Sequence, residues 1–134
     1  MGITFYKTYA LHSESTAFVD SAVLAISANW RKEELLQRAS PELRDSDKPD
    51  ELNLLFSTLS RFGPLIEYQG ATGQVRTTYI TGSGDVVTGS YAANARFQNG
   101  STVLRIVVQK RDGRWMIQSF HSDSVPGSKA PQDT

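Results

Sequence analysis

The stretch that decides the fold is "YAANARFQNGSTVLRIVVQKRDGRWMIQSF", residues 91–120, in which apolar and polar residues alternate on both sides of two turn signals. The signals are Asn-Gly at 99–100 and Asp-Gly at 112–113. Two-residue type I′ hairpin turns prefer these dipeptides because both turn positions need a positive φ. The stretch therefore predicts three consecutive antiparallel strands in a fixed register.

The two turns predict the same apolar face for all three strands. The first loop places Phe97 opposite Thr102, and the second places Leu104 opposite His121. The predicted inner face comprises Tyr91, Ala93, Ala95, Phe97, Leu104, Ile106, Val108, Trp115 and Ile117, followed by Ser119 opposite Ile106 and by His121. The predicted outer face is mixed and includes Arg96 and Arg105, with an apolar band of Val103, Val107, Met116 and Phe120.

The N-terminal half has the apolar spacing of helices. The first predicted helix runs from Thr16 to Trp30, with Ser13 or Ser15 as its cap. A shorter helix over 31–39 ends at the Ser-Pro of 40–41. The third has Asp47 as its cap and ends at the Gly-Pro of 63–64, where glycine favours a left-handed cap and proline blocks continuation.

From residue 65 onward the pattern alternates with a period of two, which is typical of strands. The sequence "GSGD" at 82–85 predicts a connection between a strand that ends near Thr81 and one that starts near Val86. The chain is thus predicted to place its helices first and an antiparallel meander afterwards, the arrangement of an α+β domain.

Composition excludes several classes of function. The 134 residues suit one domain, and 14 basic residues balance 14 acidic ones, so nucleic acid is not the expected partner. The absence of cysteine excludes disulfides, thiolate metal sites and thiol nucleophiles. The two histidines, His12 and His121, have no closely spaced ligands, so neither a metal nor another cofactor is expected.

We expect three regions: an N-terminal extension over 1–13, a single domain over 14–124 and a disordered tail over 125–134. No apolar run is long enough to span a membrane. The aromatic sequence "ITFYKTYA" at 3–10 fits a segment that follows a removed signal or anchor. This feature favours an extracytoplasmic, periplasmic location in a bacterium, although a cysteine-free chain suits the cytoplasm equally.

The order of elements and the Gly113, Trp115 and Ile117 pattern of the last strand resemble the NTF2-like superfamily, which includes ketosteroid isomerases and SnoaL-like polyketide cyclases. The resemblance covers residues 16–124. It implies an NTF2-like (cystatin-like) cone, in which three N-terminal helices pack on the concave side of a strongly bent antiparallel sheet. Members of that superfamily include both enzymes and assembly proteins, so the fold alone does not select a function.

Two interpretations of His121 follow. As a general base aided by Ser119 or a tyrosine hydroxyl, it would support a SnoaL- or isomerase-type enzyme acting on a small apolar substrate. As a strand-end residue it would only form local hydrogen bonds. An isomerase also needs desolvated carboxylates inside the cone. Glu67 has no defined register, and Asp85 and Asp123 lie at strand ends. Asp20, one residue past Val19, either faces the sheet from the first helix or, as we expect, is solvated beside Ser21.

The inner aromatic residues also allow two interpretations, a pocket for a small apolar ligand or a filled core. The predicted pocket lining is Trp30, Phe56, Tyr91, Phe97, Leu104, Trp115 and His121. The apolar band on the outer face predicts a homodimer whose surface comprises Val103, Arg105, Val107, Met116 and Phe120. The sequence therefore favours a non-enzymatic ligand-binding or protein-assembly module, with the enzyme as the alternative.

Overall fold

A computed structural model describes residues 2–45, 49–80 and 84–124 of the chain. It is an α+β domain in which four helices and a 3₁₀ turn precede a curved four-stranded antiparallel sheet of order β1-β2-β3-β4. The helices are α1 Gly2–Asn29, α2 Lys32–Arg38, α3 Pro41–Arg44 and α4 Pro49–Leu59, and the 3₁₀ turn is Ser60–Phe62. The strands are β1 Leu65–Ile80, β2 Gly84–Phe97, β3 Gly100–Arg111 and β4 Arg114–Ser122.

The first helix is longer than the sequence predicted. It begins at Gly2 and runs through the expected boundary at residue 13, so the prediction that Ser13 or Ser15 caps its start is wrong. Ser15 lies inside the helix, and its hydroxyl donates to the carbonyl of His12 at 3.0 Å. The helix ends at Asn29, after which Trp30 adopts a φ of 50° and its indole donates to the carbonyl of Gly63.

The remaining helices follow the sequence signals closely. α2 ends at Arg38, before the Ser-Pro signal, and Ser40 then caps an additional short helix, α3, by accepting a hydrogen bond from the Leu43 amide. The 3₁₀ turn after α4 stops at Gly63, whose φ of 78° is the left-handed conformation that glycine favours. The expected cap Asp47, residue Thr81 and the predicted tail at 125–134 lie outside the described residues.

The first hairpin turn differs from the prediction by one residue pair. Phe97 lies opposite Gly100 instead of Thr102, and residues 98–99 form the loop. The backbone amide of Asn99 donates to the carbonyl of Phe62 and that of Gln98 to the carbonyl of Pro64, so contacts with the 3₁₀ segment select this loop. The register shifts by two residues, which leaves every β2 and β3 side chain on its predicted face.

The second hairpin turn is confirmed, because Asp112 and Gly113 have φ values of 53° and 78°. The strand pairing after it changes at a β-bulge. Val108 lies opposite Ile117 as predicted, but Val107 lies opposite Ser119, so Gln118 is an extra residue in β4. One extra residue reverses the facing of every side chain that follows it.

The core lies between the inner face of the sheet and the helices. Its centre is formed by fully buried side chains of α1 and the strands, namely Val19, Ala22, Val23, Ile26, Leu104, Ile106, Val108 and Ile117. The bulge adds Phe120 to this core, where it stacks on Phe56 with ring centroids 6.2 Å apart. Burying a phenyl ring instead of the His121 imidazole is favourable because the imidazole would have to be desolvated.

Candidate functional site

The two candidate catalytic residues do not lie inside the domain. His121 is exposed and lies opposite Arg105 on the outer face, and Ser119 lies opposite Val107 on that same face. The predicted inward orientation of both side chains is therefore wrong, and the cause is the extra residue Gln118. The two side chains lie on the same face of the sheet, but that face is open to solvent. A general base of the proposed type requires a site that excludes water, and this face does not provide one.

Most of the predicted pocket residues fill the core. Trp30, Phe56, Tyr91, Phe97 and Leu104 are all buried members of one hydrophobic cluster, against which Trp115 packs. The Phe97 ring contacts two other rings, with centroids 5.2 Å from Trp30 and 5.4 Å from Phe62. These residues pack against one another, as the filled-core interpretation expects, and His121 lies on the other side of the sheet.

Polar groups on α1 attach it to the inner side of the sheet. Glu14 accepts hydrogen bonds from Lys110 Nζ at 2.8 Å and from Trp115 Nε1 at 3.2 Å. The hydrogen bond from Lys110, followed by that from Trp115, lowers the pKa of the Glu14 carboxyl. At the next residue of α1, the hydroxyls of Ser15 and Tyr91 are hydrogen-bonded. These contacts orient the helix and leave Glu14 as a paired carboxylate.

The Asp20 carboxylate contacts the sheet, contrary to the expectation that it is solvated. It accepts a hydrogen bond from the hydroxyl of Tyr68 on β1 at 2.5 Å. Burial, together with the hydrogen bond to this carboxylate, raises the pKa of the Tyr68 hydroxyl. The position of Asp20 beside Val19 of the apolar stripe could have indicated this orientation, and Gly70, whose φ is 95°, is a sequence signal for one of the two bulges that set the facing of Tyr68.

The predicted dimer face is only partly formed. Phe120 belongs to the core, and Met116 is buried at the corner where α3 approaches β4, so neither contributes to an exposed apolar band. Val103 and Val107 are half-buried, and Arg105 between them is exposed. Arg105 donates to Asp123, with 2.9 Å between Nη2 and Oδ2, and this contact raises the pKa of its guanidinium.

The outer face contains a shallow groove of about 450 Å³ that crosses β1, β2 and β3. Its outward side chains are Thr72, Gln74, Ser90, Ala92, Arg105 and Val107. A second depression of about 450 Å³ continues it past Gln74 and Ser90 to Thr88 and Arg76. We call the two depressions together the outer groove. Its small and hydroxyl side chains fit a flat polar surface better than a buried small molecule.

The free edge of β1 adjoins the outer groove. β1 is a 16-residue edge strand, and within the described part of the chain no strand or bridge pairs with its open side. Its facing is set by two bulges, one between Leu65 and Glu67 and one between Tyr68 and Gly70. Ile66, at the first bulge, is 52% exposed. The edge thus presents backbone groups without a strand partner beside an exposed apolar residue, and one β1 carbonyl, that of Gly73, lies 3.2 Å from Nε2 of His12.

The opposite edge of the sheet is partly covered. Ala39 forms a parallel bridge with Ile117, and the amide of Ser40 donates to the carbonyl of Ile117 at 2.8 Å. Arg111 fixes α3 beside it by donating to both carboxylate oxygens of Glu42, which lowers the pKa of that carboxyl to about 2. The two edges of the sheet therefore differ in their accessibility to a partner.

The described part of the chain comprises residues 2–45, 49–80 and 84–124. In these ranges no three His, Asp or Glu side chains come together as a metal site would require. In the same ranges no helix is both long enough and apolar enough to cross a membrane.

The chain was also compared with known proteins. It matches no protein-family profile, no curated protein and no solved structure.

Proposed function

We propose that this domain is a non-enzymatic assembly module that self-associates through the side of its sheet that the helices leave open, namely the outer groove and the free edge of β1. The observation that carries this proposal is the asymmetry of the sheet. α1 covers the inner face, the Ala39 bridge covers part of the β4 edge, and among the described residues no strand pairs with the outer edge of the 16-residue β1.

The positions of the chemical groups support a binding role over catalysis. The imidazole of His121 and the hydroxyl of Ser119 lie on the outer face, and the inner carboxylates Glu14 and Asp20 are engaged by donors from the sheet. An acid–base mechanism needs a titratable group in a water-excluding pocket next to its substrate. Open backbone groups and a flat polar groove are instead suited to contact with another protein surface.

The fold supports an NTF2-like assignment as part of the same proposal. Helices come first in the chain, four antiparallel strands follow in sequential order, and the curved sheet packs against the long first helix. NTF2-like domains include assembly proteins, so a binding role agrees with this fold. From the aromatic sequence at 3–10 we also propose that the protein is located in a bacterial envelope.

Sedimentation velocity and light scattering on the purified chain test self-association. We expect a dimer that dissociates on dilution. Samples should extend to about 1 mM, because a dimer whose association free energy is only about 4 kcal/mol has a Kd near that concentration and is then substantially populated. A chain that is monomeric up to that concentration would overturn the proposal.

A matched control separates the sheet from the helices. Among the helical side chains whose exposure the structure describes, Leu54 on α4 is the most exposed large hydrophobic one, at 68%, so it is a suitable apolar candidate for a contact on the helical side. We expect Leu54→Asp to leave the dissociation constant unchanged. If this substitution abolishes the dimer, the contact lies on the helices, and the open side of the sheet is not the interface.

A further inference from the structure

The facing of the β1 side chains determines what kind of partner its free edge fits. Pairing with β2 places the side chains of Glu67, Gly70, Thr72, Gln74 and Arg76 in sequence on the outer face, since the bulge residue Gln69 is skipped. Tyr68, Ala71, Gly73 and Val75 have the inner facing. Glu67 and Arg76 are the only charged residues of β1. They carry opposite charges and lie on the same face.

This outward series is symmetric about Thr72. One outward position, Gly70, lies between Thr72 and Glu67 in one direction, and one, Gln74, lies between Thr72 and Arg76 in the other. In an antiparallel pair, residues directly opposite each other share a face. When two copies of β1 meet with Thr72 opposite Thr72, each Glu67 therefore faces an Arg76, while Tyr68 faces Val75 on the inner side.

Other registers lose this complementarity. Moving the centre to Gly73 or Gln74 places Arg76 opposite Gly70 or Thr72, which are uncharged. Moving it to Ala71 places Glu67 opposite Gln74. Only the register centred on Thr72 pairs both charged residues of β1 with opposite charges.

The charges are accessible for such pairing. Glu67 has a weak internal contact, 3.4 Å from Arg96, and both side chains are more than half exposed. None of the ion pairs formed between described residues involves Arg76. In the symmetric register each Glu67 lies between Arg96 of its own chain and Arg76 of the second copy.

From this symmetry we infer that the partner of the β1 edge is a second copy of the chain, paired antiparallel with the two Thr72 residues at the two-fold axis. The inference rests on the proposed self-association and specifies its surface. The two sheets become one eight-stranded sheet, and the two outer grooves lie side by side across the axis.

Charge exchange tests the register. Glu67→Arg and Arg76→Glu each create two like-charge contacts in the symmetric dimer, so we expect each variant alone to raise the dimer dissociation constant at least about tenfold. An equimolar mixture of the two variants restores both attractive contacts, and we expect it to form a heterodimer as tightly as the wild type. Arg96→Gln, which removes only the internal contact of Glu67, is the control and keeps the dimer.

Crosslinking tests the axis independently. The chain contains no cysteine, so Thr72→Cys introduces a single thiol. Directly opposed residues have Cα atoms about 4.5–5.5 Å apart, which a disulfide can span. Thr78→Cys is the matched control, because Thr78 is exposed on the same strand and face but its two copies would be roughly 40 Å apart.

We expect rapid disulfide formation for Thr72→Cys and none above background for Thr78→Cys. A dimer that is insensitive to both charge exchanges and is not linked through residue 72 would overturn the edge pairing while leaving self-association intact. A monomeric wild type would overturn both. Circular dichroism of each variant confirms that the fold is retained.

Discussion

The β-bulge at Gln118 leads to a quantitative prediction for Phe120→Ala. Phe120 is 4% exposed and stacks on Phe56, so the substitution removes a phenyl ring from the core. Truncation of a buried phenylalanine to alanine destabilises proteins by about 3–5 kcal/mol. Had β4 continued without the bulge, Phe120 would lie on the outer face, and the same change would alter the free energy of unfolding by about 0.5 kcal/mol or less.

The predicted loss is large in relation to the whole domain. A free energy of unfolding of about 5–15 kcal/mol is typical, so Phe120→Ala removes roughly 30–50% of a mid-range value. For a domain of 134 residues it corresponds to a fall in Tm of about 10–18 °C. Urea unfolding followed by circular dichroism measures the free energy, and a thermal scan measures Tm.

The neighbouring residue provides the control. His121→Ala changes an exposed side chain one position further along β4, and we expect an effect within about 0.5 kcal/mol. The reasoning is refuted if Phe120→Ala costs less than about 1 kcal/mol, or if His121→Ala costs more than Phe120→Ala. Either result would mean that β4 follows the unbulged register.

Three further predictions concern other contacts. Glu14→Gln removes a paired, half-exposed carboxylate that stabilises the fold by less than about 1 kcal/mol. Because its pKa is lowered in the folded state, this stabilisation is complete above pH 4.5 and is lost as the pH falls through the folded-state pKa. The difference from wild type in urea unfolding should therefore vanish in acid, and a difference that does not change with pH would contradict the prediction. Gly73→Ala places a Cβ 2.0 Å from the carbonyl of Ser90 and should destabilise the domain by about 1–3 kcal/mol in urea unfolding, whereas equal stability would show that the β1 backbone is not constrained there. Tyr68→Phe leaves the half-buried Asp20 carboxylate without its donor and should cost about 1–3 kcal/mol by the same assay, and a neutral effect would place Asp20 in solvent.

Much of the sheet could be predicted because turn chemistry and side-chain alternation are local signals. Asp112 and Gly113 specified their turn, and alternation specified the inner faces of β2 and β3. The Asn-Gly turn moved by one pair because its amides bond to the 3₁₀ segment, a contact between residues about 35 positions apart. That shift leaves the side chains on their predicted faces, because facing alternates with a period of two and the register moved by two residues.

The candidate site was harder to predict for the same physical reason. A single extra residue, Gln118, reversed the facing of Ser119, Phe120 and His121, and thereby removed both catalytic candidates from the interior. Nothing in the local sequence around Gln118 marks a bulge, since no glycine or proline is present. The bulge is selected by the gain from burying Phe120 against Phe56, which depends on the assembled core. Likewise the β1 bulges decide that Glu67 and Arg76 share a face.

The attachment of Glu14 to Lys110 and Trp115 joins residues 96 and 101 positions apart in sequence. During synthesis this attachment can be completed only after the last hairpin has been made, whereas the contacts of α1 with β1 and β2 involve strands that emerge earlier. At about 5–20 residues per second this interval is roughly 5–20 s, long compared with hydrophobic collapse. A chain truncated before the final strand therefore lacks the Trp115 donor, and Lys110 alone remains to attach Glu14 to the sheet.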